Sequence, residues 1–238
     1  MKIISWNCNG AFRCKFDKLL PFEADIWVVQ ESESPEYLQD KGIKIPADTH
    51  WWHGDRGCKG LSIFTFNGYK AEKAAFFSPE FKYALPVVIT PPERTGPKFL
   101  LVGVWASVVK ENHDWDYIGQ MCEFMERYQA NFDDNSILIG DLNSNMLWNS
   151  YYQKAHNYSR FLELMAESGL VSVYHQVEKC AQGQEKIPTS YYRRAPKRGF
   201  HIDYAFMSLK RIEELRKFEI AGKKWLEWSD HVPLLLEL

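Results

Sequence analysis

Short runs of β-type residues recur along the whole chain: KIISW, DIWVV, LSIFTF, PVVIT, KFLLVGVW, SILIG, HIDYAFM and VPLLLEL. Several are apolar on both faces, the pattern of strands covered on both sides. Fewer segments have helical periodicity. DWDYIGQMCEFMERYQANF puts Ile118, Met121, Cys122, Met125 and Tyr128 on one face, with Asp114 as the expected N-cap. NYSRFLELMAESGL brings Phe161, Leu164 and Met165 together and stops at Gly169. Strands sometimes follow one another and sometimes alternate with helices. Two packed sheets with helices outside fit that order better than one doubly wound parallel sheet. No repeat, low-complexity tract or Pro/Ser-rich linker divides residues 1–238, so a single domain is expected.

Strand ends in such an architecture are stiff, and side chains just beyond them can be held to catalytic tolerance. Five ends are polar in a suggestive way. The first strand stops at Asn7, before an Asn9-Gly10 turn dipeptide. The second stops at Gln30-Glu31, where a carboxylate follows an apolar run and needs a partner or a cation if it is buried. SILIGDLNSN spaces Asp141 and Asn143 by two, so both can enter one cavity. HIDYAFM carries Asp203 inside an apolar run, two residues after His201 on the same face. The last strand is preceded by Asp230 and His231, and an acid within one strand beside a histidine at another's mouth can form a carboxylate–imidazole pair.

Each feature alone has an ordinary reading as a cap, a turn or a solvated acid; five together point to a site. Its donors are carboxylate and amide oxygens, which suit Mg²⁺, with Mn²⁺ as a substitute. The Cys/His spacing of a zinc site is absent from the sequence. The chemistry this set fits is metal-assisted hydrolysis of a phosphate ester.

The ordered set SWNCNG, QE, GDLNSN, HIDYAF and SDHVPL resembles the endonuclease/exonuclease/phosphatase superfamily, the deoxyribonuclease-I-like and exonuclease-III-like metal-dependent phosphodiesterases. The resemblance runs from Asn7 to His231 and implies a four-layer α/β sandwich, two packed mixed β-sheets flanked by helices. It implies Asn7, Glu31 and Asp230 as metal ligands and Asp141 as the group that positions or activates water. Asn143 would contact the phosphate, and His231, oriented by Asp203, would stabilise the phosphoryl transition state. One stretch departs from the pattern. Where many nuclease members carry an Asn followed closely by a Tyr or His, this chain reads VWASVV, with Trp105 and Ser107 at those places. Asn112 and His113 follow at the wrong spacing.

A nuclease acting on DNA or RNA is the first expectation. A phosphatase or phosphodiesterase for a small phosphorylated molecule, a phosphoinositide or a nucleotide end is the alternative, and an inactive binding module the third. The formal net charge is −2, so nucleic-acid contact would rest on a local patch or on bound cations. TSYYRRAPKRGFHIDY supplies one: Arg193, Arg194, Lys197 and Arg198 for phosphates, with Tyr191 among the rings available for stacking. Trp51 and Trp52, in a second aromatic and basic stretch, read as core. Five scattered cysteines suggest reduced thiols in a cytoplasmic protein without a disulfide-linked partner. The absence of a leader-like or membrane-length apolar run gives no reason to expect a membrane, and a monomer is the expectation.

Overall fold

A computed structural model describes residues 1–93, 95–149 and 155–238. In chain order the strands are β1 (Lys2–Asn7), β2 (Ile26–Ser32), β3 (Thr49–Arg56), β4 (Lys59–Thr65), β5 (Lys70–Lys73), β6 (Ala84–Thr90) and β7 (Phe99–Trp105). They continue with β8 (Ile137–Asp141), β9 (Val171–Ser172), β10 (Ser190–Tyr191), β11 (Gly199–Phe200), β12 (Asp203–Met207), β13 (Lys217–Ile220) and β14 (Leu234–Glu237). The helices are α1 (Pro35–Asp40), α2 (Ile118–Tyr128), α3 (Tyr158–Glu167), α4 (Val173–Glu178) and α5 (Leu209–Glu213).

Two six-stranded sheets form, one ordered β13-β14-β1-β2-β4-β3 and the other β5-β6-β7-β8-β12-β9. Both are mixed: β1 runs parallel to β2 and β7 parallel to β8, while their other pairings are antiparallel. A short hairpin of β10 and β11 stands apart from the two sheets. All eight runs singled out in the sequence are strands.

Three layers of apolar contact hold the sandwich together. Ile3, Val28, Ile63, Leu101, Ile139 and Ala205 belong to the cluster between the sheets. Their strand neighbours Val102, Leu138, Tyr204 and Phe206 pack outward beneath Met121 and Met125 of α2 and Phe161 and Leu164 of α3. The outer face of the first sheet is covered differently. Ile4, Trp6, Trp27 and Leu235 pack against Phe12, Leu19 and Trp225, which lie in or beside single 3₁₀ turns rather than α-helices. The four-layer sandwich is therefore present, with one outer layer built from turns and loops.

Helix α2 begins later than the sequence suggests. Asp114 falls in a separate 3₁₀ turn (His113–Trp115) capped by the Asn112 side chain, and Tyr117 precedes the helix at φ 52°. A Cβ at Gly119 would lie 2.0 Å from the Asp114 carbonyl oxygen, so this turn folds tightly onto the helix start. Helix α3 starts at Asn157, whose side chain accepts from Arg160 N–H, and Gly169 follows its end at φ 74° as expected. Among the described residues no helix is long and apolar enough to cross a membrane, and all five cysteines are free.

Candidate active site

Strand periodicity assembles the site. Ile3 faces the inter-sheet core, as do Ile26 and Val28, Ile137 and Ile139, and Ala205 and Met207. Side chains two residues apart share a face, so the same side of the strands next presents Asn7, Gln30, Asp141 and Asp203. Register then aligns them: Asn7 pairs with Gln30 across the parallel β1–β2 ladder, and Asp203 pairs with Asp141 across β12–β8. The apolar layer ends and a polar layer begins at one end of the sandwich.

Glu31 has the opposite parity and should face outward. A register shift between Gln30 and Ser32, with Glu31 at φ 62°, breaks the alternation and re-aims its carboxylate toward the other polar ends. Of the ten non-glycine residues with positive φ among the described residues, Asn9, Glu31 and Asn143 line the resulting cavity. Asn9 and Asn143 are of a residue type that enters this region readily, whereas Glu31 is not, and its conformation costs on the order of 1–3 kcal/mol.

The polar groups interlock. Asn7 Nδ2 donates to Asp141 Oδ2 at 2.9 Å and lies 3.5 Å from Glu31 Oε1. Asn143 N–H donates to Asp141 Oδ1 at 2.8 Å, and Asn143 Nδ2 donates to the Ala106 carbonyl at 3.0 Å. His231 Nδ1 donates to Asp203 Oδ2 at 2.9 Å, and Nε2 lies 3.2 Å from Ser190 Oγ. Thr189 Oγ1 donates to Asp203 Oδ2 at 2.7 Å while accepting from the N–H groups of Ile202 and Asp203. Ser229 Oγ donates to the Asn7 carbonyl at 2.7 Å and accepts from His231 N–H at 3.0 Å, which ties the last strand's mouth to the first. Trp6 Nε1 adds a bond to the His231 carbonyl. Lys59 Nζ pairs with Glu31 Oε2 at 2.8 Å.

Burial sets the charge states. Asp141 has no exposed surface; burial, reinforced by the nearby Asp203 charge and opposed by His231, raises its carboxyl to about 7. Burial acts against the charged form of His231, but Asp203 and Asp141 outweigh it and lift the imidazole to about 10. At neutral pH the ring is therefore an imidazolium, with Nδ1 held by Asp203.

A cavity of about 330 Å³ opens here, with Asn7, Glu31, Asn143, Asp230 and His231 in its lining and Asp141 and Asp203 buried behind them. Asn9, Ser190 and Trp148 also line it; Asn9 read as part of a turn, and the other two did not stand out in the sequence. Thr189 and Ser190 were legible in principle, as hydroxyls immediately upstream of the Tyr/Arg stretch; Trp148 carries no local signal. Ligand atoms of Asp141, Asp203 and His231 lie within 4.8 Å of one another, close enough to share an ion, but hydrogen bonds already occupy all three. Asn7, Glu31 and Asp230 line the same cavity and bring an amide and two carboxylates, hard oxygen donors of the kind that suit Mg²⁺, with the Asn7 amide oxygen also accepting from Asn9 N–H at 3.0 Å.

The remaining expected residues are placed as follows. Arg193, Lys197 and Arg198 are exposed on the hairpin loop beside the cavity, whereas the Arg194 guanidinium bonds to the carbonyls of Glu227 and Trp228. Tyr191 is only 3% exposed and packs in the core, so it has no free face for a base. The exposed ring is Tyr192, at 46%, which lines the cavity with the Arg198 and Arg193 guanidinium carbons 4.5 and 5.2 Å from its centroid. Asn112 and His113 bond within their own loop and do not line the cavity.

No protein-family model matches the sequence, and no curated protein matches it. Solved structures do. The catalytic domain of Xenopus laevis APE2 superposes with a TM-score of 0.73 at 17% identity, covering 100% of this chain and 91% of that one. An AP endonuclease from Archaeoglobus fulgidus gives 0.70 at 17% identity, covering 100% and 99%. The 3′ phosphatase NExo from Neisseria, bound to product DNA hairpin, gives 0.66 at 19% identity, covering 100% and 99%. The chain has the fold of the endonuclease/exonuclease/phosphatase superfamily.

Proposed function

We propose that residues 1–238 form one catalytic domain that hydrolyses phosphodiester bonds of nucleic acid, DNA in the first instance, with a divalent cation. The observation that carries this reading is the closeness of two prepared groups at one polar end of the sandwich, where ligand atoms of Asp141, Asp203 and His231 lie within 4.8 Å of one another and Asn7, Asn143 and His231 line the cavity. A buried carboxylate is held by two asparagines, Asp141 with Asn7 and Asn143, and an imidazolium is held by a buried carboxylate, His231 with Asp203.

Asp141 orients the attacking water and accepts its proton, a role suited to a carboxyl whose affinity for protons has been raised toward neutrality. Asn143, fixed through the Ala106 carbonyl, keeps Asp141 in place and borders the phosphate position. His231 offers a positive N–H at Nε2 where negative charge develops on the phosphoryl oxygens. Ser190 Oγ lies 3.2 Å from that nitrogen, at the place a phosphoryl oxygen would take over. Asn7, Glu31 and Asp230 would hold Mg²⁺ or Mn²⁺, which supplies charge neutralisation at the phosphate. Lys59 pairs with Glu31 beside this set.

Arg193, Lys197 and Arg198 support contact with the sugar–phosphate backbone, and among the described residues none of the three has a carboxylate partner. A phosphate monoester at a nucleic-acid end is the second reading; the open cavity and the likeness to a structure described as a 3′ phosphatase favour it. The free cysteines suit a reducing cytoplasm.

The test is cleavage of labelled single- and double-stranded DNA, abasic duplex, RNA and a 3′-phosphorylated end, with Mg²⁺ or with EDTA. Polynucleotide cleavage that EDTA abolishes supports the reading. Turnover of the phosphorylated end alone would replace it with the second.

A further inference from the structure

The most exposed large apolar side chain in the described structure stands beside the catalytic cavity, and it stands on a rigid base. Leu147 is 66% exposed, at the centre of the single 3₁₀ turn Met146–Trp148 that follows Asp141 and Asn143. Its neighbour Trp148 lines the cavity and packs on Phe200 with ring centroids 5.3 Å apart. An exposed leucine on a loose loop would need no explanation. This one is fixed by a buried polar network that the proposed chemistry does not use.

Asn145 is the hub of that network. Its Oδ1 accepts from Leu147 N–H at 2.9 Å. Its Nδ2 lies 2.9 Å from the His201 carbonyl, 3.0 Å from Tyr204 Oη and 3.2 Å from Glu185 Oε2. Glu185 is locked in turn by His175 Nε2 at 2.9 Å and by Gly183 N–H at 3.0 Å. The leucine side chain leans on Gly183, where an added Cβ would meet Leu147 Cδ2 at 3.5 Å. The turn is thus bolted to β12 and to the Gly183 loop, and it holds an apolar side chain out into solvent.

The rest of the rim identifies the occupant. Phe200 and Tyr192 line the same cavity, and the guanidinium carbons of Arg193 and Arg198 lie 5.2 and 4.5 Å from the Tyr192 ring centroid. An apolar tip next to rings and exposed cations is the combination with which proteins enter and unstack a duplex. Resting on the nuclease reading above, we propose that Leu147 is a wedge: it inserts between base steps next to the scissile phosphate and opens duplex substrate for the cavity. It is a specificity-determining residue for duplex nucleic acid and takes no part in bond cleavage.

The experiment compares wild type, Leu147→Ser and Leu147→Met on one oligonucleotide in duplex and single-stranded form. A 2-aminopurine next to the mapped cleavage position reports unstacking before cleavage. We expect Leu147→Ser to lose at least about tenfold in duplex cleavage and to lose the fluorescence rise, while single-strand cleavage stays within about twofold. Leu147→Met should keep both. A duplex-to-single-strand ratio equal in wild type and Leu147→Ser would overturn the wedge while leaving the nuclease reading intact. An equal loss on both forms would also overturn it, indicating a surface that serves folding or a protein partner. Cleavage of neither form by the wild type would overturn the nuclease reading and the wedge together.

Discussion

Asp141 and His231 each have a neighbour that decides what they can do. On the proposed mechanism, His231→Ala takes away the positive N–H that stabilises the phosphoryl oxygens, and turnover should fall by about 10²–10⁴-fold. The substitution also leaves Asp203 with Thr189 as its remaining side-chain partner, so a lower melting temperature should accompany the loss. Single-turnover cleavage and thermal melts on the same preparation check both. Glu31→Gln should raise the Mg²⁺ concentration for half-maximal activity and weaken cation binding measured by calorimetry without substrate. An unchanged titration would remove Glu31 from the proposed ligand set.

Away from the site, His50 is lowered from 6.5 to about 4 by burial, stacked on Phe64 and bonded to Ser62. Its folded form holds a proton less tightly than its unfolded form. The contribution is therefore complete above pH 6.5 and is lost as pH falls toward 4, by at most about 3 kcal/mol. Urea unfolding of wild type and His50→Gln at pH 7, 5.5 and 4.5 should show the difference between them shrinking as the solution is acidified.

Among the elements, β8 is the most constrained. Gly140 sits at φ 147°, and a Cβ there would lie 2.0 Å from the Val104 carbonyl oxygen and 2.9 Å from Gln30 Nε2. Gly140→Ala should destabilise the fold by about 2–4 kcal/mol and displace Asp141, visible as a lower urea midpoint together with lost activity. What the sequence revealed and concealed also sorts by element. The interior strands were legible because they are covered on both faces and read as apolar runs. Of the strands left unread, β3, β5, β9 and β13 are the four sheet edges, which bury less and therefore carry mixed residues such as THWWHGDR and KAEK. Asn7 and Asp141 were legible as the polar ends of apolar runs, and Asp203 as an acid inside one. Glu31 reaches the same cavity only through a bulge, and no residue pattern announces that geometry. The choice between Tyr191 and Tyr192 turned on which ring the short hairpin buries, and adjacent tyrosines carry no cue to it.

At the scale of the molecule, a net charge of −2 makes long-range attraction to nucleic acid weak, so on the proposed function binding rests on the patch of Arg193, Lys197 and Arg198. Three such contacts predict that log K falls with log[salt] at a slope of about −3 for duplex DNA. Fluorescence anisotropy between 50 and 200 mM salt checks it, and a slope near −8 would require a far larger basic surface than this chain presents. The placement of the site has a kinetic meaning as well. Asn7 leaves β1, His231 precedes β14, and Ser229 and Trp6 join the two ends across more than 220 residues of chain. Closing that loop belongs to the slow, non-local part of folding. A chain still emerging from the ribosome has Glu31 and Asp141 long before its imidazole at position 231. On the proposed mechanism cleavage cannot begin on a half-made enzyme, so the appearance of activity reports the completion of the sandwich.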